Sequence, residues 1–442
     1  MKVVILGGGL TGLTCAYELQ KKKVDFILIE KEKELGGLCR SVKINDFIFD
    51  YTGHFLHFSH SDKFVEQYIK LLLKDNLIKI HRNAKIYSQY ATTNNKLIPF
   101  PFQANLSFLE PRISKQCLYD LIIAQLRKKI YTENFKTWLI QNFGKSITKY
   151  FFEKYNTKLW KISLEKITSL WAEKFVPLPD VEDILSRFIW EQQRKEYGYN
   201  VFFYYPKNNG IQSLIDSITT LIDKKNIITD AEVVKIDYVK KKVLFLYKSK
   251  INSVDYDILI STIPLVEFVA RSNLPKKCKV YAKKLNYTSV LCFNIAVNKQ
   301  IMKGVHWIYF PEENTIFYRI GFYHNINKNL VKKEYGSMYV EVSMKSNEKV
   351  DVVKIYSDIV NQLIETKIID SEKQILFYNL LKIPHAYVVY DKHREKVLPY
   401  IFNILNKHKI YSIGRYGGWK YSYMTENIKD AVSTVEQILN NK

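Results

Sequence analysis

The chain begins with a short apolar run, MKVVIL, that breaks into glycines and resumes as LTGLTCAYEL with helical spacing of its apolar positions. Such a pattern predicts a buried strand turning directly into a helix. A second apolar run, VDFILIE, predicts a second strand, and alternation of strand and helix continues to about residue 80. AKIYSQYATTNNKLIPFPF then alternates apolar and polar positions on both sides of Asn94-Asn95, which predicts a hairpin. From about 104 to 200 the apolar period becomes helical, through SKQCLYDLIIAQLRKKI and TENFKTWLIQNFGKSITKYFFEKY. Between 207 and 265 a mixed texture returns: a helix after NNGIQSLI, a strand at AEVVKIDY and a closing strand in YDILISTIP. From about 280 to 383 strands dominate, among them YTSVLCFNIAV, HWIYF, TIFYRIGFY and SMYVEVS, and the last 40 residues read as strand, glycine turn and helix.

The glycines of the first turn, Gly7, Gly9 and Gly12, have the G-x-G-x-x-G spacing of a dinucleotide-binding loop in its proper strand–helix context. The first permits the tight turn, the second lets backbone approach a pyrophosphate, and the third lets helix pack close to strand. Glu30 ends the second strand eighteen residues beyond Gly12, where a carboxylate can accept hydrogen bonds from an adenosine ribose. The expected fold class is α/β: a discontinuous Rossmann-like domain made of residues 1–80, 205–265 and 385–442. A helical domain, 104–204, and an antiparallel β-sheet domain, 81–103 with 266–384, are inserted into it.

A chain of 442 residues with 47% hydrophobic residues can bury more than one core. Its five cysteines are scattered without a C-x-x-C pair, which points away from a disulfide framework or a zinc site and toward a reducing compartment. No apolar run approaches the roughly 18 residues that cross a bilayer, and the first strand leaves no room for a signal peptide, so a cytoplasmic protein is expected. The net charge of +23 arises from lysines dispersed over the chain, in a composition also rich in Ile, Asn and Tyr. Dispersed charge of this kind does not call for nucleic acid, and leaves peripheral association with an acidic membrane surface as the alternative use.

His54, His57 and His60 are spaced by three residues, but the surrounding FIFDYTGHFLHF reads as strand and loop, and no metal is expected. No Ser-His-Asp order, paired acid motif or nucleophilic cysteine setting emerges. Arg415, in the glycine- and aromatic-rich GRYGGWKYSYM, is a candidate for binding an anion, because guanidinium forks pair bidentately with phosphate oxygens at any working pH.

GGGLTG, GGLCRS at 36–41, STIP at 261–264 and the terminal Gly-Arg turn resemble the FAD-dependent superfamily of amine oxidases, phytoene desaturases and UDP-galactopyranose mutase. IPFPFQANLS, EKYNTKLW, HWIYFPEENTIFYR, Tyr387 of PHAY and GRYGGWKY make the resemblance closer to the mutase family, especially its eukaryotic type. The resemblance implies FAD as cofactor, held by Gly7, Gly9, Gly12, Glu30, Gly36, Gly37, Arg40, Val233, Gly414 and Met424, with His54 beside the flavin ring. It implies that Arg319 and Arg415 clamp a substrate diphosphate, with Tyr309, Tyr387 and Tyr421 hydrogen-bonding to it. By the same resemblance Phe100, Phe102 and Gln103 hold the uracil, and Asn156 and Trp160, one helical turn apart, line the sugar pocket.

The implied reaction interconverts pyranose and furanose forms of a nucleotide sugar, with N5 of the reduced flavin attacking the anomeric carbon and NAD(P)H possible as external reductant. One departure stands out: where the family has a loop arginine, this chain has Phe175, with Lys174 beside it as the candidate phosphate ligand. YSYM, which begins at Tyr421, is closer to the bacterial enzymes. Two other readings accompany the first, an FAD-dependent amine oxidase or desaturase, and a binding protein of the GDP-dissociation-inhibitor type.

Overall fold

The computed structural model describes residues 1–59, 62–190 and 201–440. A five-stranded parallel sheet runs in the order Ile410–Ser412, Ile258–Ser261, Lys2–Leu6, Asp25–Ile29, Ile227–Ile228, so strands from both ends and the middle of the chain lie side by side. Because successive strand residues point to opposite faces, Val3 and Ile5 face one apolar layer, and Val4 and Leu6 the other. The first layer is built by helices Leu10–Lys21, Gln212–Thr219 and Met424–Asn440, the second by Leu265–Arg271, Lys276–Lys283 and Lys392–Lys407. A parallel sheet covered on both faces explains why its strands read as unbroken apolar runs.

The second sheet has seven strands in the order Ile375–Val388, Tyr287–Val297, Gly336–Lys345, Arg319–Phe322, Trp307–Tyr309, Ala84–Tyr87, Leu97–Pro99. The expected hairpin is present as the antiparallel pair of Ala84–Tyr87 with Leu97–Pro99. The sheet is antiparallel except where Trp307–Tyr309 pairs with Ala84–Tyr87 in parallel, a join between distant segments that alternation alone does not reveal. Its opposite face is closed by Val352–Glu365, a helix inside the region expected to be dominated by strands; Asp351 caps it by accepting from the N–H groups of Val353 and Lys354. The helical segment comprises Pro111–Leu126, Phe135–Ile147, a π-helical turn over Thr148–Glu153, Lys154–Trp160, Ala172–Phe175 and Val181–Trp190. It shares one apolar core with the second sheet, through Phe102, Phe151, Trp160, Trp307 and Tyr318.

Candidate functional site: a dinucleotide cradle leading to an arginine pocket

The cradle is a product of backbone geometry. Gly7 N–H donates to Ile29 O at 2.9 Å, tying the glycine loop to the neighbouring strand. A Cβ on Gly12 would lie 2.0 Å from Gly7 O, so only glycine lets the helix Leu10–Lys21 approach the loop this closely. At Gly9 the nearest atoms to a Cβ would be about 4 Å away, which leaves this backbone open to a ligand. Gly36 N–H donates to Gly8 O at 2.8 Å, bringing the Gly36-Gly37 turn against the loop, and Arg40 Nε closes that turn on Gly37 O at 2.9 Å.

Glu30, almost fully buried, accepts from Gly8 N–H at 2.5 Å and from Glu32 N–H at 2.9 Å. Its carboxylate therefore rigidifies the loop and keeps lone pairs for a hydroxyl donor. Ala231 N–H donates to Glu30 O at 2.9 Å, which sets the strand carrying buried Val233 beside this acid. A cavity of about 370 Å³ opens next to it, lined by Lys31, Glu32, Lys33, Glu34, Arg40 and Asp230. At the far end Gly414, at φ +77°, sits where a Cβ would be 2.6 Å from Thr11 Oγ1, so the C-terminal turn rests on the first helix's N-terminus. Met424 buries its side chain in the same layer as Leu10. These residues fit a dinucleotide: open backbone amides at a helix N-terminus for phosphates and a carboxylate with spare acceptors for a ribose.

Beyond the Gly414 turn lies a pocket walled by aromatic rings. Arg415 donates from Nη1 to Ser422 O (2.9 Å) and from Nη2 to Ala386 O (3.0 Å). Its guanidinium lies over Tyr421 (4.7 Å to the ring centre) and Tyr387 (5.5 Å). Among the described residues no carboxylate lies within 4.0 Å of it, so its charge meets carbonyl dipoles, the Tyr416 hydroxyl and ring faces. Arg319 differs. In the sheet register it stands between Tyr309 and Glu341, and it grips Glu341, 1% exposed, with Nε and, at 2.8 Å, Nη2.

The two arginines do converge. Burial, then the charges of Arg415 and Arg319, push the pKa of His54 down to about 4. The imidazole is neutral at working pH, with a buried Nδ1 that has no hydrogen-bond partner among the described residues. Tyr387 links the two sides: its ring lies under Arg415, and its hydroxyl is 3.4 Å from that of Tyr318, over whose ring Arg319 lies at 5.9 Å.

The other expected residues divide. Trp160 borders Tyr387 (5.8 Å) and Tyr421 (6.4 Å), and Tyr309 packs against Phe100 (5.2 Å). Phe102 does not face a base: it is 1% exposed and stacked on Phe151 at 5.2 Å, because the turn after Pro101 directs it into the shared core. Gln103 donates to Pro177 O at 2.8 Å and keeps a buried Oε1 without a partner among the described residues. Asn156 accepts from Trp160 Nε1 at 3.2 Å and donates to Phe152 O at 2.8 Å, so it fixes the indole rather than presenting its own amide. Lys174 does not enter the pocket; it forms an exposed ion pair with Glu426, and Phe175 packs on Tyr421 at 4.4 Å.

His57 is buried near Phe203 and Tyr423, while His60 lies outside the described residues. Among the described residues no group of three His, Cys, Asp or Glu side chains could hold a metal ion. Sequence reasoning missed Tyr155, Tyr318, Glu341 and Arg82, the last stacked over Phe100 at 4.9 Å. Tyr155 carried a signal in its helical spacing from Phe151, whereas Glu341 carried none.

Residues 5–71 match the NAD(P)-binding Rossmann-like domain. The chain is 31% identical over 105 residues to an uncharacterized protein in the nifH2 3′ region of Methanothermococcus thermolithotrophicus, covering 24% of this chain and 96% of that protein. Over 120 residues it is 28% identical to a probable flavin-containing monoamine oxidase A of Dictyostelium discoideum, spanning 27% of this chain and only a quarter of that protein. Among solved structures, reduced UDP-galactopyranose mutase superposes with a TM-score of 0.92 at 24% identity, covering 100% of this chain and 96% of that one. Over the 105 matched residues the chain belongs to the same family as the M. thermolithotrophicus protein, and from end to end it has the UDP-galactopyranose mutase fold.

Proposed function

We propose that this protein is a flavin-dependent mutase that interconverts the pyranose and furanose forms of a nucleotide sugar. The observation that carries the reading is Arg415: a guanidinium in an aromatic pocket, without a carboxylate among the described residues, next to the dinucleotide cradle. End-to-end likeness to a mutase supports it. FAD is the cofactor, held by the glycine loop, Glu30, the Gly36–Arg40 turn, Val233 and the Gly414 turn; once reduced, for instance by NAD(P)H, it supplies a nucleophilic nitrogen for the anomeric carbon.

This chain's own residues do the rest. Arg415 and the face of Arg319 turned from Glu341 hold the diphosphate, whose negative charge grows as it departs, so fixed cations favour the transition state over the ground state. Tyr309, Tyr387 and Tyr421 offer hydroxyls to the phosphates, Phe100 and Gln103 border the base, and Trp160, fixed by Asn156, walls the sugar and excludes water. Neutral His54 offers a hydrogen-bonding nitrogen without adding charge. We assign segments 1–80, 205–265 and 385–442 to the cofactor domain and the two insertions to substrate binding, in a protein of the cytoplasm.

The test is incubation of FAD-loaded, dithionite-reduced protein with UDP-galactose and a panel of other nucleotide hexoses, with products separated by chromatography. A furanose isomer formed only under reducing conditions is expected. Failure to convert any member while FAD stays bound, or amine-dependent oxygen consumption instead, contradicts the proposal.

A further inference from the structure

The helical segment carries an exposed surface that neither the cradle nor the pocket uses. Helix Pro111–Leu126 buries Ile113, Cys117, Leu121 and Ala124 and turns Tyr119 and Leu126 outward, two positions on one face. The chain then runs through Ile130 and Tyr131, and these outward residues are conspicuous for their exposure: Tyr119 65%, Leu126 78%, Ile130 71% and Tyr131 80%. Leu170, 54% exposed, joins them, because Ser169 Oγ donates to Thr132 O at 2.8 Å and Ser169 N–H to Glu133 O at 2.8 Å.

Cations surround this patch. From Pro111 to Thr132 the chain has exposed Arg112, Lys115, Arg127, Lys128 and Lys129, against a single carboxylate, Asp120. Asp120 is turned inward, accepting from Ser146 N–H (3.0 Å) and Oγ (2.6 Å), and Glu133, the next acid along, faces Lys392 at 3.9 Å. Outward-facing apolar side chains mixed with cations have one well-matched solvent, the headgroup boundary of an anionic bilayer, where alkyl and aromatic groups enter the acyl edge while ammonium and guanidinium groups meet lipid phosphates. A second copy of this chain fits poorly, since a two-fold contact would set like charges against each other. Nucleic acid would reward the cations but not exposed Leu and Ile.

We propose that the face formed by Tyr119, Leu126, Ile130, Tyr131 and Leu170 with its surrounding cations docks this protein on anionic lipid membranes. The proposal does not depend on the reaction assigned to the pocket. Trp171, next to Leu170, reaches Tyr421 at 6.4 Å, so the docking face and the pocket share one short segment.

Co-sedimentation of the full-length protein with extruded vesicles tests it. The protein pellets with phosphatidylcholine vesicles containing about 30 mol% phosphatidylglycerol and not with phosphatidylcholine alone, and about 0.5 M NaCl releases it. Arg127→Glu/Lys128→Glu lowers the partition coefficient at least about tenfold, and so does Leu126→Ser/Ile130→Ser/Tyr131→Ser. Both variants keep the wild-type melting temperature, since none of these side chains is buried, and Lys22→Glu/Lys23→Glu, the same charge change elsewhere, has little effect. No pelleting, equal pelleting on both compositions, or an equal loss in the Lys22/Lys23 variant would overturn the proposal. So would a dimer in sedimentation velocity that the patch variants dissolve.

Discussion

The sheet wall and the C-terminal turn each bring one guanidinium group to the pocket, and they differ in what neutralises it. Arg319 is held by the carboxylate opposite it in the register, Glu341, so its charge is balanced before any ligand arrives. Arg415 has carbonyl oxygens and tyrosine faces around it and, among the described residues, no carboxylate. One residue type is thus paired to the wall in one place, with only its outer face left to a ligand, and has no carboxylate among the described residues in the other. The environment, more than the residue, decides the role.

Making the two arginines alike breaks this difference most severely. Glu341→Gln leaves Arg319 partly buried without its counterion, and chemical denaturation should show a loss of about 3–5 kcal/mol. Added pyrophosphate should recover part of that loss by occupying the released guanidinium. A variant as stable as the wild type would show that Glu341 does not balance Arg319.

Asp50 presents the reverse problem, a buried carboxyl that pairs with no cation among the described residues. Burial raises its pKa from 3.8 to about 6, opposed by hydrogen bonds from Ser41 and Tyr205. A carboxyl raised in the folded state stabilises fully below its unfolded value and loses that contribution as pH rises through the folded one. The stability of wild type relative to Asp50→Asn should therefore fall by about 3 kcal/mol between roughly pH 4 and pH 8, measured by urea unfolding at several pH values. A difference independent of pH would contradict this.

Smaller effects sharpen the picture of the walls. Asn156→Ala removes the acceptor from Trp160 Nε1, leaves a buried N–H unpaired, and should cost about 1–3 kcal/mol together with a shift in tryptophan emission. Unchanged emission and stability would return Asn156 to the role of a direct pocket ligand. Lys174→Ala, which removes an exposed ion pair with Glu426, should cost about 0–1 kcal/mol and leave nucleotide affinity unaltered. A marked loss of affinity would bring Lys174 back to the phosphates.

Much of the cradle was legible in the sequence because it is local. The positions of Gly7, Gly9 and Gly12 encode a turn within a few residues, and Glu30 follows at the end of the next strand. Arg415 was conspicuous for the same reason, a cation set among glycines and aromatics. The rest depends on contacts that no local pattern records. Glu341 meets Arg319 through strand register, and Lys174 finds its partner 252 residues away, at Glu426. Phe100 and Phe102 look equivalent in an alternating stretch, yet Phe151 from the helical segment takes the face of one and leaves the other beside Tyr309. The parallel join of Trp307–Tyr309 to Ala84–Tyr87 is likewise a product of topology, since either strand reads the same in both orientations.

If Arg415 receives the anionic group of the ligand, as proposed, calorimetric titration of FAD-loaded protein with UDP will register its removal. Arg415→Ala should weaken binding at least about thirtyfold, equivalent to about 2 kcal/mol, with FAD content unchanged and Lys174→Ala binding as the wild type does. Equal affinity in Arg415→Ala and wild type would contradict the account.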